Sequence, residues 1–295
     1  NGNCFLEPSV CINDISLSGL KFSLPSVPET TTTTDEPSSE PLTSITTPVP
    51  IRLNRLTLND IDLDILGNRV VWQHFSTQAS FQGNNLTVGK TLWNKIEVTL
   101  AQSQDEPQAE KAEPTAQSEP QAVVLPDVLI PLRINLARLD INDFTLHQET
   151  PVVVNHLGLK AKAYQYDVSV DTLELDTPDV DAQLKTKVKL KDNYPLSLDL
   201  SSKVKLAEAK GQALSLNASG SVADLSVQAE LTDLAKASIK AKLQPLEPQL
   251  PFDIDIKDLH GQWPLVGKGD YFIDASHLYS KGSIEHYQLG LVGQL

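Results

Sequence analysis

Six histidines, His74, His147, His156, His260, His277 and His286, are the first candidates for acid–base or metal chemistry. None falls in an H-x-x-x-H or H-E-x-x-H spacing, the arrangement that sets two imidazoles on one helical face for zinc. Placed singly, they read as surface or turn residues. Asp60, Asp62 and Asp64 alternate, but the glycine and terminal glutamate of a calcium loop are missing. Their alternation reads as the wet side of a strand. There is no G-x-S-x-G turn to present a nucleophile. Gly261, Gly267 and Gly269 lack the lysine–serine/threonine continuation of a phosphate loop. Trp72, Trp93 and Trp263 are isolated and read as anchors at sheet edges or rims, without the basic–aromatic interleaving of a single-strand nucleic-acid site. The expectation is a protein with no catalytic residue, no metal and no cofactor, and so not an enzyme.

The two cysteines, Cys4 and Cys11, have no further cysteine or nearby histidine to complete a tetrahedral zinc site. Their spacing also differs from the C-x-x-C of a thioredoxin-type centre. The reading is a local disulfide closing a short loop, worth roughly 2–3 kcal/mol and implying an oxidising compartment. Two free thiols are the alternative.

The net charge is −14, from 38 acidic and 24 basic residues. Nucleic-acid binding needs clustered cations to displace counterions, so that class is excluded, as is a basic patch for anionic membranes. Aromatics make up 5% of the chain and methionine is absent, so Leu, Val, Ile and Thr carry the apolar pattern. No stretch approaches the roughly 18–20 apolar residues of a spanning helix. The chain opens Asn-Gly-Asn-Cys with neither methionine nor signal peptide, and is expected to be a segment of a longer protein whose anchor lies outside it.

The elements that must carry any site are strands. Val168–Val170, Leu173 and Leu175, Val188–Leu190, Leu196, Leu198 and Leu200, Leu214–Leu216, and Ile254 with Ile256 alternate apolar and polar residues, which puts one row on each face of a sheet. Gly83-Asn84-Asn85, Lys191-Asp192-Asn193 and Gly267-Lys268-Gly269 punctuate them as turns. Helical periodicity is confined to a weak signal at Leu206–Ala213. Two low-complexity stretches, residues 25–48 (Thr, Pro, Glu) and 102–122 (Gln, Glu, Ala, Pro), lack the apolar residues that would offset ordering entropy and read as disordered loops. They divide the chain into first strands with the cysteine loop (1–24), a β segment (49–101) and a longer continuation (123–295).

One pattern repeats. Arg55–Leu63 matches Arg138–Leu146 in character, and Pro50–Asn54 matches Pro131–Asn135. Ile15–Phe22 is a third copy and Ile254–Leu259 a weaker fourth. In the first copy Ile51, Leu53, Leu56 and Leu58 are followed by the polar pair Asn59-Asp60. The apolar parity then switches to Ile61, Leu63 and Ile65. The others run Ile15, Leu17 to Leu20, Phe22; Leu139, Ile141 to Phe144, Leu146; and Ile254, Ile256 to Leu259. A one-residue slip turns every later side chain to the opposite face, so the backbone must bulge or bend at the polar pair to keep one apolar row. Asn, Asp, Ser and Gly tolerate the unusual φ required. The fold expected is mainly β: a long, curved, antiparallel-type sheet, built of strand–kink–strand repeats and open as an apolar groove.

Cys4–Leu17 with Pro8-Ser-Val-Cys-Ile-Asn-Asp14, Thr47–Asp60, Leu125–Ile134, Asp192–Leu198 and Gln262–Gly269 together resemble the TamB family of the AsmA-like superfamily, over essentially the whole chain. The resemblance implies a periplasmic bridge, held to the inner membrane by a helix outside this chain. Its partner would be TamA, a BamA-type outer-membrane barrel, contacted through other parts of the protein. It also implies two functions: carriage of phospholipids, their acyl chains in the apolar groove, and assembly of outer-membrane proteins such as autotransporters by β-strand templating.

Overall fold

The computed structural model describes residues 8–24, 45–101 and 123–294. Cys4, and with it the Cys4–Cys11 pairing, lies outside the described residues, as does nearly all of both low-complexity stretches. Contacts group the chain into two units: Asn1–Thr115 with Ile130–Gln165, and Ala116–Leu129 with Tyr166–Leu295. Both are mainly β, and the Leu206–Ala213 signal becomes one short 3-10 turn, Ala207–Ala209.

The first unit holds β1 (Val10–Ile12), β2 (Ile15–Ser18), β3 (Lys21–Leu24), β4 (Thr47–Ile65), β5 (Asn68–Gly83), β6 (Asn85–Thr99), β7 (Ile130–His147) and β8 (Val152–Gln165). The three short strands line up end to end beside β4, and β5 to β8 follow in order. Four of these pairings, at two places in the sheet, are parallel: β1, β2 and β3 each with β4, and β6 with β7. Alternation does not encode strand direction, so the sequence pattern led only to an antiparallel-type sheet. Chain connectivity explains the difference. A parallel return needs a connection of a dozen or more residues, and these two places bracket the two low-complexity stretches, between Leu24 and Thr47 and between Thr99 and Ile130.

The kinks are backbone features. Gly19, Asp60 and Asp143 have φ of 72°, 51° and 56°, and the fourth copy, in the second unit, has Asp258 at 50°. Lys95 in β6 joins them at 52°. Register puts the first unit's members in one transverse line: Ser18 sits beside Asn59, Asn59 opposite His74, His74 opposite Asn94 and Asn94 beside Asn142, so the next residue on each forward-running strand is the left-handed one. Since all strands switch parity at the same line, the register is unchanged across it, and only the rungs at the kink residues themselves, such as Asp60, Lys95 and Asp143, drop out of the ladder. The one-residue register shifts form a separate line, between Leu53 and Leu56 in β4, Ser76 and Ala79 in β5, and Leu136 and Leu139 in β7.

The second unit is an antiparallel meander: β9 (Asp167–Asp176), β10 (Val180–Lys189), β11 (Pro195–Val204), β12 (Ala213–Ser221), β13 (Asp224–Thr232), β14 (Lys236–Leu243), β15 (Phe252–Trp263), β16 (Tyr271–Gly282) and β17 (Tyr287–Gln294). Each strand pairs with the next. No register joins β9 to β17 among the described residues, so the sheet is not closed. Val123–Leu129 runs along one end of it: Val123 N–H donates to Leu246 O at 2.9 Å, Val128 N–H to Leu190 O at 3.0 Å, and Tyr194 hydroxyl to Pro126 O at 2.6 Å.

Candidate functional site

Strand register assembles one apolar face in each unit. In the first, Leu58 faces Phe75, which faces Trp93, Ile141 and Leu157 in turn; beyond the kink line the next row is Ile61, Trp72, Ile96, Phe144 and Val154. Leu63, Val70, Val98 and Leu146 form a third. Ile15 lies beside Leu56 and Leu17 beside Leu58, while Phe22 lies beside Leu63. Ile51, Leu53 and Leu139 fall on the same face before the kink, and Ile65 after it. By register Leu20, next to Lys21 opposite Asp62, belongs with Ile61.

This face has a small packed centre. Ile61, Trp72 and Ile96 are 2%, 8% and 3% exposed and pack with Leu58, Phe75, Trp93 and Phe144. Trp93 stands edge-on to Trp72 at 5.5 Å and to Phe75 at 5.4 Å, the T-shaped geometry favoured by ring quadrupoles. The indole N–H groups of Trp72 and Trp93 are buried without a hydrogen-bond acceptor. The tryptophans read from sequence as edge or rim anchors are therefore, in two of three cases, the middle of the first unit's core. Their apolar cross-strand neighbours were the available signal.

In the second unit the face is wider and almost wholly aliphatic. One row runs Leu173, Leu184, Leu200, Leu216, Ala229, Ile239, Ile256, Leu278 and Leu291; the row beside it runs Val170, Thr186, Leu198, Ala218, Val227, Ala241, Ile254, Ser280 and Leu289. Leu175 leads a third that reaches Leu259 and Ala275, and Leu196 lies in a fourth. With strands about 4.8 Å apart, nine of them make a face about 40 Å long. Its buried members are alanines, Ala218, Ala229, Ala237 and Ala275, shaded by larger neighbours. The leucines and isoleucines of β10 to β15 are only half-buried. A two-layer sandwich would bury such rows completely. Here no second layer covers them among the described residues.

The opposite faces are polar and tied by short-range electrostatics. Arg69 grips Asp62 with two bonds of 2.8 Å, which holds the Asp62 carboxyl below its ordinary range. Asp62 is thus committed to an ion pair, and no cluster of three or more metal-ligating side chains exists among the described residues. The hydrogen bonds that Lys205 donates to Asp176 and Asp181 raise the pKa of its ammonium, and the hydrogen bond with His277 lowers that of Asp255. Beside the kink line runs a ladder that single-residue reading missed. Asn59 Oδ1 accepts from His74 Nδ1–H at 2.7 Å, Asn142 Nδ2 donates to Asn94 Oδ1 at 2.8 Å, and Asn142 Oδ1 accepts from His156 Nδ1–H at 2.8 Å. His74 and His156 are rungs of this ladder. Its signal was the Asn just before the parity switch in two copies, Asn59 and Asn142, and the same residue in Asn94-Lys95-Ile96 marks β6 as a further copy of the repeat.

No helix among the described residues is long and apolar enough to cross a membrane. No solved structure matches the chain. Residues 1–295 match the family described as TamB, N-terminal domain, a match that spans both units and every copy of the repeat. The chain therefore belongs to the TamB family, with the role in the translocation and assembly module of the cell envelope that this family carries.

Proposed function

We propose that this domain carries phospholipids across the periplasm with their acyl chains on the open apolar face, and so supports outer-membrane biogenesis together with TamA. The observation that carries this reading is the second unit's aliphatic face, continuous over nine strands and only half-buried. Acyl chains need contact area without directional polarity, which is what rows of Leu, Ile and Val offer. An exposed apolar strip of this extent promotes aggregation unless something covers it. The same reading gives the chain no catalytic role. Asp62, Asp192 and Asp255, the carboxyls held below their ordinary range, each serve an ion pair with a neighbouring cation or imidazole.

Lipid extraction from the purified protein tests it. Phospholipid should co-purify, and Leu198→Asp or Ile256→Asp should lower the amount severalfold while the β circular-dichroism spectrum is kept. Lipid-free protein, or variants that retain full lipid, would contradict it. A second reading, templating of outer-membrane protein strands by β-augmentation, is favoured by β17, which pairs with β16 and exposes Leu289 and Val292 at 67% and 58%. Crosslinks from β17 to a nascent barrel strand, with none to lipid from β11, would favour that reading.

A further inference from the structure

The apolar face of the second unit ends, at the β15–β16 hairpin, in a hollow of about 650 Å³. Its floor is Gly261, its walls are Ala235, Leu259 and Ile273, and Trp263 and Tyr271 stand at its mouth. Register explains the hollow. Gly261 pairs with Ile273 and Trp263 with Tyr271, so these residues continue the rows that carry Leu259 and Ala275, but the floor position lacks a side chain. Trp263 and Tyr271 are 61% and 73% exposed, unlike Trp72 in the first unit.

The hollow is built rather than accidental. Gln212, 9% exposed, accepts from Ala235 N–H at 2.7 Å and donates to Ala235 O at 3.1 Å; it also donates to Thr232 O at 2.8 Å. One side chain thereby fixes the wall. Gln262 donates to Gly267 O at 2.9 Å and holds the hairpin loop. A second, polar hollow of about 440 Å³ abuts the first and shares Gly261, Gln262, Leu265 and Phe272 with it. Asp233, Lys236 and His260 line the second hollow, with Lys236 and His260 register partners on the polar face, so the two hollows meet around the start of β14; Asp270 lines the apolar one.

We infer that this paired hollow is a discrete binding site for one zwitterionic phospholipid, where an acyl chain leaves or joins the apolar face. The chain lies over Gly261 between Leu259 and Ile273. The tryptophan–tyrosine pair covers the glycerol end, where rings with one apolar and one polar side are at home. Both charge signs at the rim suit a head that carries a phosphate and an ammonium together: Lys236 for the first, Asp233 and Asp270 for the second. A purely anionic head would meet those carboxylates in a protein already at −14. The inference rests on the proposed lipid reading of the face, and adds a place and a head-group class to it.

Gly261→Val tests it without threatening the fold. Gly261 has no left-handed φ, and a Cβ there would stand 3.5 Å from Ala235 Cβ and 3.8 Å from Ile273 Cγ2, ordinary contact distances. A β-branched residue also suits a strand. The probe is short-chain phosphatidylethanolamine with brominated acyl chains, used below its micelle concentration, and the signal is the part of tryptophan emission lost in Trp263→Phe. Saturable quenching is expected, at least tenfold weaker in Gly261→Val and weaker for the matching phosphatidylglycerol. A photocrosslinker at Leu198 reports lipid elsewhere on the face. Quenching unchanged by Gly261→Val, or seen only with intact bilayers, overturns the site, even where lipid still crosslinks at Leu198. Site-specific quenching with no lipid at Leu198 leaves the site standing and overturns the conduit reading.

Discussion

The two units solve one problem, keeping an apolar row on one side of a sheet, in different ways. The first uses long strands, up to the 19 residues of β4. It bends them together at a shared line of left-handed residues and fills the centre of its face with Trp72, Trp93 and Phe75. The second uses strands of 8–12 residues, mostly without such a line, and leaves its rows aliphatic and half-open. The difference separates two roles for the same alternation. Where aromatics meet across strands the face packs against itself and becomes structure. Where leucine and alanine alternate across strands, nothing within the sheet is large enough to close over it, and the face stays available.

This contrast sets different costs for like substitutions. Trp72→Ala should destabilise by about 3–5 kcal/mol, the usual cost of removing a packed aromatic. Leu198→Ala, on the open face, should cost about 1 kcal/mol, since less area leaves water when its strand folds. Urea denaturation of each variant measures both, and equal costs would erase the distinction.

The kink line gives the next effect. Asp60→Val or Asp143→Val forces a β-branched residue into a left-handed φ and should cost about 1–2 kcal/mol each. Asp60→Gly should be neutral or stabilising by up to about 1 kcal/mol. The same valine substitution at Asp199, mid-strand in the second unit, should stay within about 0.5 kcal/mol.

Acid produces the smallest effect. Asp62, Asp192 and Asp255 have folded pKa values below their ordinary range. Their contribution is complete above the unfolded carboxyl value, about 3.9, and is lost as pH falls through the lower folded values. Stability should therefore decline only in strongly acidic buffer, and in both units, because Arg69–Asp62 lies in one and His277–Asp255 in the other. A midpoint near neutrality would contradict these ion pairs as its cause.

Much of this was legible in the sequence because it depends on local parity. The switch after Asn59-Asp60, Asn142-Asp143, Ser18-Gly19 and before Leu259 pointed to the backbone positions that carry left-handed φ. The copy in β6 escaped because Lys95 occupies the place held elsewhere by Asp or Gly. Strand direction escaped for a deeper reason: alternation reads the same along parallel and antiparallel neighbours, and only the length of the intervening segments distinguishes them. Two properties belong to pairs rather than to residues, and register alone reveals them: the His74–Asn59 and His156–Asn142 rungs, and the Trp72–Trp93 contact. The hollow over Gly261 is of the same kind, an absence of side chain that matters only because Ala235 and Ile273 flank it.

The claim most exposed to test is that the second unit's face is open to lipid on one side only. A photoreactive residue placed in turn at Leu196, Ser197, Leu198, Asp199, Leu200 and Ser201 along β11 reads this directly in cells. Phospholipid adducts are expected with period two, at the three leucines and not at the residues between them. Adducts at both parities, or protein adducts in place of lipid at the leucines, would contradict it.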